Sequence, residues 1–534
     1  MMPGASSYTV TSKILDNDRP IAFRDEPYRA LFTRLQGNIV KGHGRDFTAN
    51  VFLSFTTRGE ALRRTLRWVA RKYVTTAYEQ LIEREHYAHF HIPGSLFGNL
   101  FLTPGAYERL DLGSRLPEWF DDPDRGGADD ITASFLNGMF AAREELEDPL
   151  PPNGQREPLE IAYAAKTIDA LIVLADDSKP FLLRKVSQLM TRLECDHAAR
   201  IVAVEIGSAL RNSDGEGIEH FGYIDGRSQP LFLTSDFTGG QEDRDIWDPF
   251  ARLSLALLKD PASDDPLAFG SYYVFRKLEQ NVRGFSIAER DLMTALQLKG
   301  EDSERAGAMI VGRFRDGTPL ALSSAPGFLP AKANNFRYDG LNANFEPDPY
   351  APDDPHGLAC PFQAHIRKVN PRQNVGVEDI SEGSPAELAV QDRSHRIVRR
   401  GITYGERIQR PNVPQALDDL PSEGVGLLFA CFQSSIRNQF AFMQKQWANN
   451  ITFRVGADNP NQTGIDCVIG QRLDGEILPH HWRTQYGGRF EHEGLIKHQR
   501  LSRSHPTAFP FHSFVKFKGG EFFFAPSLPF LLGE

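Results

Sequence analysis

Cysteine is scarce in this 534-residue chain, and its four copies are poorly placed for joint chemistry. Cys195, Cys360, Cys431 and Cys467 lie far apart and form no C-x-x-C pair. Neither a disulfide framework nor a zinc ribbon is therefore expected, and a reducing compartment is the simplest fit.

Long apolar runs and an excess of positive charge are also missing. No apolar stretch approaches the roughly 18 residues of a membrane span, and the N-terminus has no basic region followed by an apolar one. The 60 Lys and Arg residues against 70 Asp and Glu residues give a formal charge of -10, which does not favour binding to phosphate backbones or anionic lipid. We therefore expect a cytoplasmic protein whose partners include neither nucleic acid nor a membrane.

Several widespread catalytic signatures are absent as well. There is no Walker A pattern, no G-x-G-x-x-G fingerprint and no G-x-S-x-G elbow, and the pair His492-Glu493 lacks a second histidine four residues after the first. A C-x-x-C-H motif for covalent haem attachment is also missing. These absences remove the sequence support for the corresponding classes of protein.

What remains is an ordinary globular composition with two similar halves. Hydrophobic residues make up 40% of the chain and charged residues 24%, unlike disordered or collagen-like chains. In the first half, strand patterns lie at 38–42, 48–56, 95–103, 167–175 and 200–207, with helical patterns at 61–73 and 180–194. From 48 onward, this is the strand and helix order of a ferredoxin-like unit.

A second set of patterns indicates another α+β half. Strands are predicted at 270–282 and 424–433, and helices at 288–298 and 436–447. The halves are predicted to meet near 236–245, which gives an N-terminal arm at 1–28, a first domain at 29–240 and a second at 241–534. Stretches rich in Pro, Gly and Asp predict surface insertions at 121–130, 146–158 and 346–357.

Two histidine clusters invite a metal-binding interpretation. His86, His89 and His91 have ligand-like spacing, and His89 and His91 would share one face of a strand. Solvated strand histidines are commoner than zinc sites, and no cysteine or well-placed carboxylate accompanies these. The adjacent pair His480-His481 would point to opposite faces of a strand. A zinc-binding protein remains an alternative, which metal analysis of the purified protein would test.

Four other segments combine residues that can carry chemistry. Residues 220–230 hold Asp225 between Gly222 and Gly226, and glycines there permit a tight turn or close approach to a flat group. Residues 360–372 place one histidine among cations. The other two segments are a basic run ending in a glycine turn and an apolar strand, at 396–405 and 426–433.

Each segment also has a purely structural interpretation. Asp225 is a common kind of turn former. His365 could bind a backbone carbonyl, or it could be the axial ligand of a haem whose propionates pair with Arg367 and Arg372. The strand carrying Leu427 and Phe429 could equally be ordinary core.

Taken together, the segments resemble the dye-decolourising peroxidases. GYIDG matches the G-x-x-D-G motif of that family, CPFQAHIRKVNPR resembles its proximal-histidine stretch, RRGITYG its distal-arginine segment and GLLFACFQ its distal strand. LQGNIVKGHGRDFTANVFLSF and KGGEFFFAPSLPFL are similar too, so the likeness covers nearly the whole chain. The chain looks most like the larger bacterial cytoplasmic subgroup.

The resemblance implies an α+β fold with two ferredoxin-like halves, each an antiparallel sheet with flanking helices, of the dimeric α+β barrel type. It implies one non-covalent haem b per chain, with His365 as the iron ligand. Asp225 and Arg399 would be catalytic, with Arg400 the other candidate for the distal arginine. The remaining cofactor-binding residues would be Gly222, Gly226, Arg367, Arg372, Leu427 and Phe429.

The implied activity is reduction of hydrogen peroxide through Compound I and oxidation of dyes, phenols or other bulky one-electron donors, by a monomer or homodimer. Because bulky dyes would not reach a buried haem edge, electrons are expected to pass through surface residues, with Trp447, Trp482 and Tyr404 as candidates. A haem-handling protein for porphyrin storage, delivery or iron release is the alternative. Steady-state oxidation of a phenol or a dye separates the two functions.

Overall fold

The computed structural model describes most of the chain in fourteen stretches, at residues 13–120, 133–148, 159–165, 167–237, 244–327, 334–354, 357–372, 385–407, 409–411, 415–452, 464–472, 480–482, 507–511 and 513–534.

The described strands form one large sheet and two small two-stranded sheets. They are β1 Phe47–Phe55, β2 Phe97–Leu102, β3 Ala170–Asp176, β4 Ala199–Ser208, β5 Leu210–Arg211, β6 Gly217–Ile218, β7 Leu258–Lys259, β8 Phe269–Gln280, β9 Val398–Arg399, β10 Ile402–Tyr404, β11 Gly426–Gln433, β12 His480–Trp482, β13 Thr507–Phe509 and β14 Val515–Ala525.

Helices are spread along the whole chain. The α-helices are α1 Tyr28–Phe32, α2 Gly59–Tyr73, α3 Ala77–Phe90, α4 Pro104–Arg109, α5 Leu116–Trp119, α6 Gly138–Ala142, α7 Ile161–Ala164, α8 Lys179–Cys195, α9 Val282–Ala295, α10 Arg305–Val311, α11 His365–Val369, α12 Pro385–Ser394 and α13 Leu528–Leu532. Two π-helical turns follow β11, at Ile436–Ala441 and Met443–Ala448. No helix in the described stretches is both long and apolar enough to cross a membrane.

The two halves repeat one antiparallel arrangement. In the first, the strands lie side by side in the order β2-β3-β1-β4, and in the second the order is β10-β11-β8-β14. Counted within each half, both orders place the first strand between the third and the fourth, as in a ferredoxin-like unit. The predicted α+β fold with two such halves is confirmed, and the predicted boundary near 240 falls between the two sets of strands.

The two sheets join edge to edge into a closed ring. Phe524 of β14 pairs with Leu102 of β2 at one seam, and Tyr404 of β10 pairs with Gly207 of β4 at the other. Closure removes free sheet edges, which are prone to unwanted pairing. The ring makes the fold an α+β barrel.

Aromatic side chains from both halves meet inside this barrel. The Phe52 ring of β1 lies 5.0 Å from that of Phe275 on β8, and the Phe101 ring of β2 stacks at 4.1 Å on Tyr273 of β8. Helix α8 covers the outer face of β1. Strand β1 is therefore buried on both faces, which explains why eight of its nine residues are buried rather than alternate ones.

Most predicted elements are confirmed, but two local predictions are wrong. Residues 38–42 form turns rather than a strand, because Asn38 has a φ of +69° and donates its N–H to the Gln80 side chain. The histidines of 86–91 lie at the end of helix α3, which starts with a capping box between Thr76 and Glu79.

The helix also changes the metal-binding interpretation of those histidines. His91 ends α3 in the left-handed conformation, so His89 and His91 do not share a strand face. Among the described residues, no group of three His, Cys, Asp or Glu side chains is placed to hold a metal ion. His480 is buried and His481 exposed, as expected for neighbours on a strand.

The predicted arm and insertions are only partly described. From residue 13 onward the arm lies on the body, where Ile14, Ile21 and Phe23 are buried. The insertion at 121–130 and most of that at 146–158 lie outside the described residues.

Phe52 tests the barrel interior. Phe52→Ala is expected to lower the free energy of unfolding by about 3–5 kcal/mol, because it leaves a cavity where the two halves meet. Phe90→Ala removes a ring that is 68% exposed and should change it by less than about 0.5 kcal/mol. Denaturant unfolding of both variants measures the difference, and equal small losses would contradict a shared core.

Candidate active site

A cavity lies between the sheet of the second half and helix α11, next to the loop that follows Asp225. Its wall includes residues from β8, β9 and β11, the loop at 225–230, α11 and the second π-helical turn. Seven of the predicted site residues line it, namely Asp225, Gly226, His365, Arg372, Arg399, Leu427 and Phe429. The fold thus brings together residues separated by as much as 204 positions (429 against 225).

His365, the first residue of α11, enters the cavity from the helical side. Its Nδ1 lies 2.9 Å from Oδ2 of Asp466, while Nε2 has no hydrogen bond to the described residues. Such an imidazole has one nitrogen fixed by a carboxylate and the other available as a ligand, which is the usual arrangement of a metal-binding histidine.

Asp466 is the acceptor that sequence reasoning did not find. It is fully buried, and its other oxygen, Oδ1, accepts the N–H groups of Val468 and Ile469 at 2.7 and 2.8 Å. Burial works against its charge, but His365 and these N–H groups outweigh it and lower the pKa of Asp466. No motif marks this residue, which lies 101 positions from His365.

The same pair affects the histidine in the opposite sense. Burial of His365 disfavours its protonated form, but the adjacent Asp466 carboxylate outweighs this and raises the pKa of His365. The negative charge of Asp466 therefore makes the imidazole ring of His365 more electron-rich.

A carboxylate and a guanidinium meet elsewhere on the cavity wall. Asp225 Oδ1 lies 3.2 Å from Nη1 of Arg399, and both side chains are about one-third exposed. Asp225 ends a short hairpin, residues 217–225, in which its backbone N–H donates to Gly217 O. Its side-chain Oδ1 accepts the N–H of Gly226 at 2.6 Å. Gly226 has a φ of +80°, which favours glycine at this turn.

Strand geometry accounts for the apolar part of the wall. Along β11, Leu427 and Phe429 are half-buried and line the cavity, while Leu428 and Ala430 between and beyond them are buried in the core. This is the two-residue period of a strand. Arg399 is delivered beside them because β9 pairs Arg399 with Cys431 of β11.

The two neighbouring arginines have different surroundings. Arg400 points away from Asp225 and donates to the carbonyls of Asn38 and Ile39 at 2.6 and 2.9 Å. Arg399 is therefore the arginine that the fold places beside Asp225.

Two residues predicted to bind the cofactor do not line this cavity. Arg367 does not line the cavity, because it is buried in an ion pair with Asp354 at 2.6 Å and also donates to the Cys360 carbonyl. Gly222 lies outside the lining too, and a Cβ there would sit 3.1 Å from Nη1 of Arg315.

Buried arginines do reach the cavity at other positions. Arg372 lines the wall and donates to Phe336 O at 2.6 Å and to Ser228 Oγ at 2.9 Å. Arg313, which sequence reasoning missed, lines it as well, and burial lowers its pKa to about 10. Its position between α10 and the following loop carries no recognisable motif.

The three aromatic residues suggested for surface electron transfer are not at the surface. Trp482, Trp447 and Tyr404 are 0%, 2% and 8% exposed. A surface role for them is therefore wrong, since each is packed into the core of the second half or the barrel.

The residues present fit an iron porphyrin. The cavity offers an imidazole with a free Nε2, an apolar wall that includes Leu427 and Phe429, and buried arginines that suit carboxylates. An α+β barrel with this donor set defines a protein of the haem-peroxidase kind.

Comparisons with known proteins place the chain more narrowly. No family model matches it. It is 40% identical over 507 residues to the multifunctional dye peroxidase DyP2 of Amycolatopsis sp., covering 94% of this chain and 95% of that protein. It is 30% identical over 424 residues to a dye-decolorizing peroxidase of Mycena epipterygia, covering 76% of this chain and 72% of the other.

Solved structures agree with this. A DyP-type peroxidase of Anabaena sp. matches with a TM-score of 0.79 at 36% identity, covering 97% of this chain and 98% of that one. The chain belongs to the dye-decolourising peroxidase family, whose members are haem peroxidases. It is thus an enzyme that uses peroxide to oxidise dyes, and the relatives give no support to the haem-handling alternative.

Burial of His220, which lies in the hairpin at 217–225, predicts that acid lowers the stability of the folded protein. His220 is 1% exposed with Nε2 2.8 Å from Tyr404 O, and burial lowers its pKa to about 4 from 6.5. The unfolded chain therefore binds a proton that the folded protein excludes, so stability is lost as pH falls from about 6.5 towards 4. His220→Gln should reduce the loss between pH 7 and 4.5 by about 2–3 kcal/mol. Urea titrations at both pH values check this, and an unchanged loss would contradict it.

Proposed function

We propose that this chain is a peroxidase with one non-covalent haem b, held by His365, and that Asp225 and Arg399 act on hydrogen peroxide. One observation carries the proposal. An imidazole with a free Nε2 and an adjacent carboxylate–guanidinium pair come from separate elements and line the same apolar cavity. Haem, when bound, would supply the iron at which peroxide is reduced and the oxidising equivalents passed on to the donor.

His365 would hold the iron through Nε2. Because Nδ1 is bonded to the buried Asp466 carboxylate, the ring is fixed in one tautomer and orientation. Asp466 itself is held by the N–H groups of Val468 and Ile469, so the whole unit is rigid. Arg372 and Arg313 line the same cavity, and their positive charge would balance the carboxylates of the group.

Asp225 would move the proton. Peroxide reduction consumes two electrons and two protons for each two waters formed, and the oxygen–oxygen bond breaks more easily when a proton reaches the departing oxygen. A carboxylate on the cavity wall can take the proton from one peroxide oxygen and return it to the other.

Arg399 would supply fixed positive charge. Its guanidinium is a planar cation that lies 3.2 Å from the Asp225 carboxylate. The same charge stabilises the negative oxygen that develops as the bond breaks. Leu427 and Phe429 keep this part of the cavity apolar, which strengthens both interactions.

Replacement of Asp225 tests the proton transfer. Asp225→Asn is expected to lower the second-order rate constant for the reaction with peroxide by about 10²–10⁴-fold, because the amide cannot accept the proton. Stopped-flow absorbance of the haem-loaded enzyme measures it. Asp214 is an exposed carboxylate in the turn between β5 and β6, and Asp214→Asn is the matched control. Its rate constant should stay within about twofold of the wild-type value. A wild-type rate in Asp225→Asn removes Asp225 from the mechanism.

Replacement of His365 tests the iron ligand. His365→Ala should abolish the absorption spectrum of histidine-bound haem and weaken haem binding, as measured by titrating the apoprotein with haem. The exposed His481→Ala is the matched control and should bind haem as the wild type does. An unaltered histidine-bound spectrum in His365→Ala would defeat the assignment.

A further inference from the structure

Glu219 is a second carboxylate in the Asp225 hairpin, and its contacts link that hairpin to the sheet. It lies six residues before Asp225 and lines the same cavity. Its Oε2 accepts the N–H of Phe221 at 2.8 Å and Nε2–H of Gln280 at 2.6 Å, while Oε1 accepts the N–H of Tyr223 at 3.0 Å. Three donors therefore converge on one side chain.

These bonds fill a need that the turn itself creates. The backbone folds back at 219–223, with Gly222 N–H donating to Glu219 O and Glu219 N–H to Tyr223 O. Gly222 adopts a φ of +94°, so the turn is tight. The N–H groups of Phe221 and Tyr223 point inward, and a buried N–H without an acceptor is costly. The Glu219 carboxylate satisfies both.

The third hydrogen bond, from Gln280 to Glu219, connects the hairpin to strand β8. Gln280 ends β8, and its backbone N–H donates to Val425 O at the start of β11. β11 in turn pairs with β9, which carries Arg399. A continuous path thus runs from the Asp225 hairpin through Glu219 and Gln280 to the strand beside Arg399.

Asp225 itself makes few hydrogen bonds. Within the described residues, its side chain bonds only to Gly226 N–H and to Arg399, and its backbone N–H to Gly217 O. Arg399 also donates to Arg227 O and, through its backbone N–H, to Gln229 Oε1, so the chain after Asp225 is tied to β9 directly. The turn at 219–223 fixes the chain on the other side of Asp225, and the 3.2 Å contact with Arg399 therefore depends on it as well. A displacement of about 1 Å can lower a rate by roughly 100-fold.

We infer that Glu219 is a positioning residue for the peroxide reaction, acting by holding the Asp225 hairpin at the correct distance from Arg399. The inference rests on the proposed role of Asp225. It predicts that loss of Glu219 harms the reaction only while the Asp225 carboxylate is present.

A double-mutant cycle tests this prediction in the haem-loaded enzyme. The stopped-flow rate constant with peroxide is compared in wild type, Glu219→Gln, Asp225→Asn and the double variant. Glu219→Gln, which replaces an accepting oxygen by a donor, is expected to lower the rate 10–100-fold in the wild-type background and less than twofold in the Asp225→Asn background. An equal fall in both backgrounds overturns the inference.

Amide hydrogen exchange supplies a readout independent of activity. Exchange across residues 217–226 should rise in Glu219→Gln whether or not Asp225 is present, because the single amide oxygen cannot accept from Phe221, Tyr223 and Gln280 in the way that two carboxylate oxygens do. Unchanged exchange overturns the inference. If Glu219→Gln fails to fold, Gln280→Leu cuts the tether to β8 while leaving the carboxylate, and it should lower the rate at least threefold with the same dependence on Asp225.

The matched control is Glu205→Gln on β4. Glu205 is also a largely buried carboxylate bonded to a β8 side chain, Lys277, at 2.9 Å, but it does not touch the hairpin. Its replacement should leave the peroxide rate within twofold, and a fall as large as that of Glu219→Gln overturns the inference. Failure of the proposed function looks different, since a wild-type rate in Asp225→Asn alone removes the role of Asp225 itself.

Discussion

The pairing of β11 with its two neighbours is the constraint on which the site depends. β11 pairs with β8 along its whole length and with β9 at Cys431 and Phe432. The alternation of a strand then decides that Leu427 and Phe429 face the cavity, and the register decides that Arg399 joins them. The hairpin at 217–225 is bonded to the end of β8. The carboxylate and the guanidinium therefore meet because both are anchored to one sheet.

The helical side of the cavity is organised by a buried charge instead. Asp466 is inaccessible to solvent, and such a group is stable only when its oxygens are satisfied. Two backbone N–H groups and the His365 imidazole meet that requirement. Orientation of the histidine and stabilisation of the aspartate are thus one and the same set of hydrogen bonds. Sheet and helix contribute separate parts of the chemistry, and Asn370 and Arg372, which follow α11, connect them by donating to Ser228 in the loop after Asp225.

Much of the fold could be predicted because its elements have strong local patterns. The apolar runs of β1, β3, β8 and β11 and the helical period of α2 appear plainly in the sequence. Asp225 and His365 could be singled out because glycines or cations surround them, whereas Arg399 was identified through the resemblance to the peroxidase family, with Arg400 as the other candidate. Residues 38–42 could not be assigned correctly, because their conformation is set by the distant side chains of Gln80 and Arg400.

The remaining errors share a cause, which is that partners far away in the chain decide what a side chain does. Arg367 lies two residues after His365 and was expected to pair with a haem propionate, but it is buried in an ion pair with Asp354. Asp466 and Arg313 carry no signal, because their importance arises only when the chain brings them to the cavity. Glu219 lies inside a motif that was recognised, yet its bonds to Phe221, Tyr223 and Gln280 depend on the folded turn.

The order in which the ring closes bears on how the protein is made. β14, the last strand of the described chain, lies between β8 and β2 and completes the seam between the two sheets. Until it is synthesised, the inner aromatic surface of the first sheet has no cover from that side. The β8 partners of Phe52 and Phe101 emerge at 269–280, but the seam with β2 has to wait for β14, which starts 307 residues after the end of β4. The free edge of β2 therefore stays unpaired for most of synthesis, which is the kind of strand edge that makes large nascent domains prone to aggregation.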